Sequence, residues 1–156
     1  MNNTLAYIKI NKINHISENE LLNGGKNTLV FTRIDEGDNQ DKAIKRTQAF
    51  SSRCSKAGLH VFGETVFVGI ENKAAHFIKC VVSKITFIDS ITTPTIRVLA
   101  DNHESAFEVM DFLDSEGVML ITNTLSRFQA VSDTVSIMRA FYDESCPCPS
   151  KSIRQV

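Results

Sequence analysis

Short apolar segments alternate along this chain with segments of helical pattern, and that alternation constrains its fold more than any other feature. Residues 5–10, 28–34 and 95–100 are rich in β-branched and aromatic side chains, which predicts strands. Residues 118–121 are apolar throughout and short, as is typical of a central strand. Helical segments separate most of these strands, so the chain should build a sheet with helices packed against it.

A short helix is expected at residues 17–22, between the first two strands. Capping residues predict a long helix after the second strand. Asp38 or Asn39 can cap its N-terminus, because a short side-chain oxygen there accepts a hydrogen bond from a free backbone N–H. The helix should run to about residue 57, where Gly58 provides the stop.

A second long helix is marked by Asp101, with Glu104 three residues later in a pattern that resembles a capping box. Gly117 should end it. Its apolar positions predict a broad buried face formed by Phe107, Met110, Leu113, Ala106 and Val109. A last helix is predicted over residues 124–143, where apolar residues recur at spacings of three and four.

The middle of the chain predicts a β-hairpin. Residues 59–70 and 76–88 are rich in Val, Ile, Phe and Thr, and residues 71–73 would form the turn. Tight turns between consecutive strands require antiparallel pairing, whereas the flanking segments allow some parallel pairing. We therefore predict one α+β domain over residues 1–145, with a mixed, largely antiparallel sheet and three to four helices packed on it. Residues 146–156 should form a flexible tail.

Composition places the chain among ordinary globular proteins, and its 156 residues suit one domain. No apolar run approaches the ~20 residues that span a bilayer, and the N-terminus lacks a basic region followed by an apolar core. A cytoplasmic location is therefore expected.

The four cysteines do not form a metal-binding pattern. Cys54 and Cys80 lie in apolar surroundings and should be small buried hydrophobic residues. Cys146 and Cys148 could supply two thiolates, but a closed zinc site needs four ligands, and no other pair has suitable spacing. The sequence thus predicts no metal site and no cofactor, and two cysteines in a reduced tail.

Charge is segregated between the two long helices, although the net charge is only −1. No acidic residue occurs from residue 42 to residue 63, and at ~100° per residue the cations of the first helix project into an arc of roughly 100°. Such a stripe can contact several phosphates, whereas the alternative is a merely solvated face. The residues expected to bind nucleic acid are Lys42, Lys45, Arg46, Arg53 and Lys56.

The second long helix is acidic, since no Lys or Arg occurs from residue 98 to residue 126. Glu104, Glu108 and Asp111 line one side of it, which predicts a surface for a protein partner because complementary charge sets orientation and association rate. Carboxylates at this spacing could also hold a metal, but no His or Asp on a neighbouring strand supports that reading. A solvated face is the third alternative.

No catalytic motif occurs, so we expect a non-enzymatic binding or regulatory module that contacts nucleic acid through the basic helix, residues 39–57. An alternative is a protein-interaction module that acts as a homodimer through the last helix, because one sheet can bury only one apolar stripe of it. The main stripe is Phe128, Val131, Val135, Met138 and Tyr142, and the second edge is Leu125, Ile137 and Phe141.

A further alternative comes from the order of elements over residues 17–90. A helix is followed by Gly25-Lys26, a strand that ends in Arg33, then Gly63-Glu64 and the long hairpin. This order is similar to that of ASCH and other PUA-like domains, which handle RNA or modified nucleosides. The resemblance implies a small RNA- or nucleoside-directed enzyme with Lys26, Thr28 and Arg33 in its pocket.

Overall fold

A computed structural model of the chain describes residues 5–10, 27–85, 87–124, 127–131, 135, 137–139 and 141. The strands are β1 (Leu5–Ile10), β2 (Asn27–Ile34), β3 (His60–Val68), β4 (Ser90–Thr93), β5 (Met119–Thr124) and β6 (Arg127–Ala130). The helices are α1 (Gln40–Lys56), α2 (Glu71–Lys84) and α3 (His103–Ser115), and Ile96–Val98 forms a 3-10 turn. Residues 135, 137–139 and 141 are also helical.

The six strands form one mixed sheet in the order β1-β3-β2-β4-β5-β6. Its four central strands, β3, β2, β4 and β5, pair in parallel, and only the edge strands β1 and β6 pair antiparallel to their neighbours. The predicted mixed sheet with helices packed on it is confirmed. The prediction that its pairing is largely antiparallel is wrong.

The predicted central hairpin is the cause of that error. Its first strand exists as β3, but its second falls on α2, and residues 71–73 are the first turn of that helix rather than a β-turn. Ala74, Ala75, Ile78 and Val82 are buried at spacings of three and four, so burial of one helical face overrides the β-propensity of the segment. Because α2 carries the chain across the sheet, β3 and β4 run in the same direction.

Both long helices predicted from capping residues are confirmed. Asn39 caps α1 by accepting a hydrogen bond from the Lys42 amide, and Gly58 follows the helix at φ +101°. In α3 the cap is Asn102, which accepts from the Ser105 amide, and not Asp101. The short helix predicted at residues 17–22 and the tail at residues 146–156 lie outside the described residues.

Two other predicted elements differ in the structure. Residues 95–100 were expected to form a strand, but the strand ends at Thr93 and the 3-10 turn follows Pro94. The last helix was expected from residue 124, yet residues 127–130 pair with β5 as a strand, and the described helical residues begin at 135. In both segments β-branched and apolar residues suit either structure, so periodicity alone could not decide.

The core has one layer on each face of the sheet. On one side Leu29 and Phe31 of β2 belong to a cluster that also contains Ile78 of α2 and Leu113 of α3. On the other side α1 packs against β2 and β3, for example through Phe50. On α3 the residues Ala106, Val109 and Leu113 are buried as predicted, whereas Phe107 and Met110 are only partly buried.

No helix within the described residues is long and apolar enough to cross a membrane. The cytoplasmic location expected from the sequence stays a prediction.

The helical assignment of residues 71–84 predicts a specific pattern of stability. Ile78 is fully buried on α2 and Cys80 is exposed on it. We expect Ile78→Ala to lower the free energy of unfolding by about 2–5 kcal/mol, and Cys80→Ala to change it by less than ~0.5 kcal/mol. Urea denaturation measures both, and equal losses for the two variants would contradict the helical assignment.

Candidate functional site

A crevice opens where the strand order of the sheet reverses. From β2 the chain passes through α1 to β3 on one side, and α2 then carries it back to β4 on the other side of β2. In open parallel sheets ligands bind at this kind of reversal, outside the carboxyl ends of the strands. A cavity of about 360 Å³ lies there, with Thr32 and Arg33 of β2 and Arg46, Thr47 and Arg53 of α1 in its lining.

The way α1 packs explains which of its cations reach the crevice. Around the helix, Arg46 and Arg53 lie within roughly 60° of the buried Phe50, at ~100° per residue. They therefore stand at the border between the buried and the solvated face and line the cavity together with Phe50. All five predicted nucleic-acid-binding residues are exposed, but Lys42, Lys45 and Lys56 lie outside the cavity. Within the described part of the chain, no carboxylate pairs with any of the five.

Two aromatic rings hold the Arg53 side chain. Its guanidinium carbon lies 5.8 Å from the centroid of the Phe50 ring and 5.9 Å from that of Phe128 on β6. These are cation–π distances, and they restrict the orientation of the guanidinium. Phe50 lies on the buried face of α1, and its ring nevertheless contacts one member of the basic stripe.

A pair of threonine hydroxyls fixes α1 on the sheet beside the cavity. The Oγ1 atoms of Thr32 and Thr47 are 2.7 Å apart, and Thr32 also donates to the carbonyl of Thr65 at 3.2 Å. Because the Thr32 proton goes to that carbonyl, Thr47 must be the donor within the pair. Both hydroxyl protons are thus used in joining α1 to β2 and β3.

The two described cysteines have different environments. Cys54 is fully buried between α1 and the sheet, and burial raises the pKa of its thiol to about 12, so it stays protonated and packs as a small apolar group. That prediction is confirmed. Cys80, also expected to be buried, is exposed on α2, with its Sγ atom 3.9 Å from Nε2 of His76. Cys146 and Cys148 lie outside the described residues.

The Arg33 guanidinium makes three hydrogen bonds at the carboxyl edge of the sheet. Its Nη1 atom donates to Oδ1 of Asp35 at 2.9 Å and to the Gly69 carbonyl at 2.8 Å, and Nη2 donates to Oε2 of Glu71 at 3.3 Å. Its Nε atom is buried without a hydrogen-bond partner in the described structure. Sequence reasoning reached Arg33 only through the PUA-like resemblance and did not foresee its two carboxylate partners.

The pocket implied by the PUA-like resemblance does not form. Thr28 lies near the amino end of β2, where its Oγ1 is 2.6 Å from that of Thr92, whereas Arg33 lies at the carboxyl end. Five residues along a strand separate them by roughly 17 Å. The long hairpin on which the resemblance depended is absent, and Lys26 lies outside the described residues.

The acidic residues of α3 lie apart from the crevice. Glu104, Glu108 and Asp111 are exposed on a helix that packs on the sheet face opposite α1. No group of three or more potential metal ligands occurs within the described residues. The surface expected to bind a protein partner therefore stays a prediction.

The described fold is similar to that of two catalytic domains, one of an integrase and one of a serine recombinase. The N-terminal catalytic domain of TP901-1 integrase is similar with a TM-score of 0.54 and 13% identity, over 77% of this chain and 92% of that one. The C-terminal catalytic domain of ISC1926 TnpA, an IS607-like serine recombinase, is similar with a TM-score of 0.52 and 11% identity, over 72% of this chain and 75% of that one. At these identities the likeness shows the fold alone. No protein-family model and no curated protein matches the sequence.

These similarities correct the function expected from the sequence. A non-enzymatic binding or regulatory module is contradicted, because both structural neighbours are catalytic domains. The PUA-like alternative is wrong as well, since the chain has a different fold. The expected contact with nucleic acid is compatible with a recombinase-like fold.

Proposed function

We propose that this chain is a DNA-directed domain that holds the DNA backbone in the crevice between α1 and the carboxyl ends of β2 and β4. The carrying observation is that Arg46 and Arg53 line this crevice and have no carboxylate partner in the described structure. The shared fold with an integrase and a serine recombinase supports DNA as the ligand.

The chemistry of the crevice suits a phosphodiester. Guanidinium groups can bind phosphate oxygens through two parallel hydrogen bonds, which gives direction as well as attraction. Arg53 already lies against two aromatic rings, which reduces the conformational freedom that it loses on binding. Lys42, Lys45 and Lys56 continue the positive surface outside the crevice and would attract flanking phosphates as point charges.

Two double variants that remove equal charge test this proposal. Arg46→Gln with Arg53→Gln empties the crevice of two cations, whereas Lys42→Gln with Lys45→Gln removes two outside it. We expect the crevice variant to bind a short DNA duplex at least about tenfold more weakly than the lysine variant. A hydrogen bond between charged groups contributes more binding free energy than attraction between charges that are not hydrogen-bonded. Fluorescence anisotropy at low and moderate salt gives both affinities.

Equal losses in the two variants would show that only the general positive charge of α1 attracts DNA. Absence of binding by the parent protein at low salt would overturn the proposed function itself. Thermal melting serves as the control for folding, since all four side chains are exposed.

A second candidate function is phosphoryl transfer on the bound strand. Three arginines, Arg33, Arg46 and Arg53, line one crevice, and guanidinium donors around a phosphate stabilise the charge that develops on its oxygens in the transition state. Both neighbours are catalytic domains. Among the described lining residues the only hydroxyls are those of Thr32 and Thr47, whose protons are engaged, so the attacking group is not assigned to either.

Conversion of supercoiled plasmid to nicked, linear or relaxed forms measures this activity. We expect the parent protein to convert plasmid, and Arg46→Gln to slow conversion by about 100-fold at saturating protein, as loss of one transition-state donor does. Lys56→Gln, on the outer part of the same helix, should leave the rate at saturation unchanged. A plasmid that stays supercoiled although the protein is bound would exclude this candidate.

We also propose that the protein forms a homodimer through its last helix. Ile137 and Phe141 are each only 3% exposed, so these two residues of the second apolar edge are covered within the chain, whereas Val135 and Met138 remain 63% and 48% exposed. Exposed apolar groups on one helix face suit a twofold contact.

Light scattering at micromolar concentration checks the dimer. We expect a dimeric mass for the parent protein and for Arg139→Ser, which alters an exposed polar residue of the same helix. The double variant Val135→Ser with Met138→Ser should shift the mass to that of a monomer, because it removes the apolar contact area. A monomeric parent would exclude the proposal.

A further inference from the structure

The Arg33 guanidinium is bound unevenly by its neighbours. Both protons of Nη1 are used, by Asp35 and by the Gly69 carbonyl, while Nη2 makes one longer bond to Glu71 and Nε makes none within the described structure. The edge of the guanidinium formed by Nε and Nη2 is therefore under-occupied. A buried donor without a partner lowers stability, so this arrangement calls for an explanation other than folding.

The cluster also carries an excess of negative charge. Two carboxylates face one guanidinium, and the arginine side chain is 15% exposed while those of Asp35 and Glu71 are 71% and 31% exposed. An ion pair with one solvated partner contributes little stability, because water and salt screen it. The two acids thus hold the arginine in place, yet the more exposed one can leave at small cost.

We propose that Asp35 and Glu71 compete with the DNA backbone for Arg33. This inference rests on the proposed function, since it assumes that a phosphate enters the adjoining crevice, which Arg33 also lines. Carboxylate and phosphate oxygens bind a guanidinium with the same geometry, so an arriving phosphate can displace Asp35 from Nη1 or Glu71 from Nη2. Until then the excess carboxylate repels the phosphate. The acids set how strongly and how selectively the crevice binds DNA.

The residues of the cluster come from separate elements at the carboxyl edge of the sheet. Arg33 ends β2, Asp35 lies in the turn that leads to α1, Gly69 follows β3, and Glu71 is in the first turn of α2. Three elements at the carboxyl edge thus meet on one side chain.

Neutralising the acids one at a time tests the proposal, with a neighbouring acid as the matched control. Glu36 is exposed, adjoins Asp35 in sequence and lines with it a separate cavity of about 270 Å³, but makes no described hydrogen bond to Arg33. We expect Asp35→Asn and Glu71→Gln each to strengthen binding of a short DNA duplex by about threefold or more and to steepen the plot of log affinity against log salt by ~0.9, the value for one added phosphate contact. Glu36→Gln should change affinity by less than about twofold, with the slope unchanged.

A double-mutant cycle shows whether the gain passes through Arg33. On an Arg33→Ala background, Asp35→Asn should give no gain over Arg33→Ala alone. Weaker binding by the Asp35→Asn and Glu71→Gln variants would instead mean that the acids position Arg33 for DNA, and would overturn the proposal. So would a gain for Glu36→Gln equal to theirs, or a gain that survives Arg33→Ala.

The outcomes separate this inference from the function on which it rests. If the parent protein binds DNA and loses it with Arg46→Gln and Arg53→Gln, but neutralising Asp35 or Glu71 changes nothing, only the competition is overturned. If neither the parent nor any variant binds, the proposed function fails and the competition fails with it. Because Asp35 is largely exposed, Asp35→Asn should fold normally, which thermal melting verifies.

Discussion

The burial of β2 on both faces is the constraint on which the rest of this structure depends. Residues 27–31 of this strand are all buried, and it forms parallel ladders with β3 on one side and β4 on the other. Parallel neighbours cannot be joined by tight turns, so helices must cross the sheet, and each face of β2 needs a helical layer to cover it. The same requirement leaves the carboxyl end of β2 at the point where the chain reverses its course. The crevice is thus a consequence of the topology, and the side chains give it its charge.

The local sequence was sufficient to predict an element where its capping residues and its apolar periodicity indicated the same structure. Asn39 and Gly58 delimit α1, and the cations of that helix alternate with a buried face, so both its position and its exposed side could be predicted. The sequence could not predict α2, because its Val, Ile and Phe residues suit a strand, and only packing against α3 and the sheet selects the helix. That one error reversed the expected direction of the central strands, since pairing direction depends on what connects them.

The candidate site, like the fold, was predicted only in part from the sequence. A basic stripe could be recognised from spacing, but which two of its five cations face the crevice depends on how α1 sits on the sheet. The surroundings of Arg33 could not be predicted, because its partners Gly69 and Glu71 are 36 and 38 residues away in sequence. Contacts between residues this far apart in sequence depend on the fold, and no local sequence pattern predicts them.

The aromatic rings beside Arg53 connect α1 to a distant part of the chain. One of its two rings, Phe128, belongs to β6, and β6 is the last strand before the helical residues that begin at 135. Phe128 also lies 5.6 Å, centroid to centroid, from Phe50 on α1, so a single pair of rings joins the crevice to the chain's final segment. Any displacement of β6 would therefore change the ring contacts that orient the Arg53 guanidinium, although β6 is remote in sequence from α1.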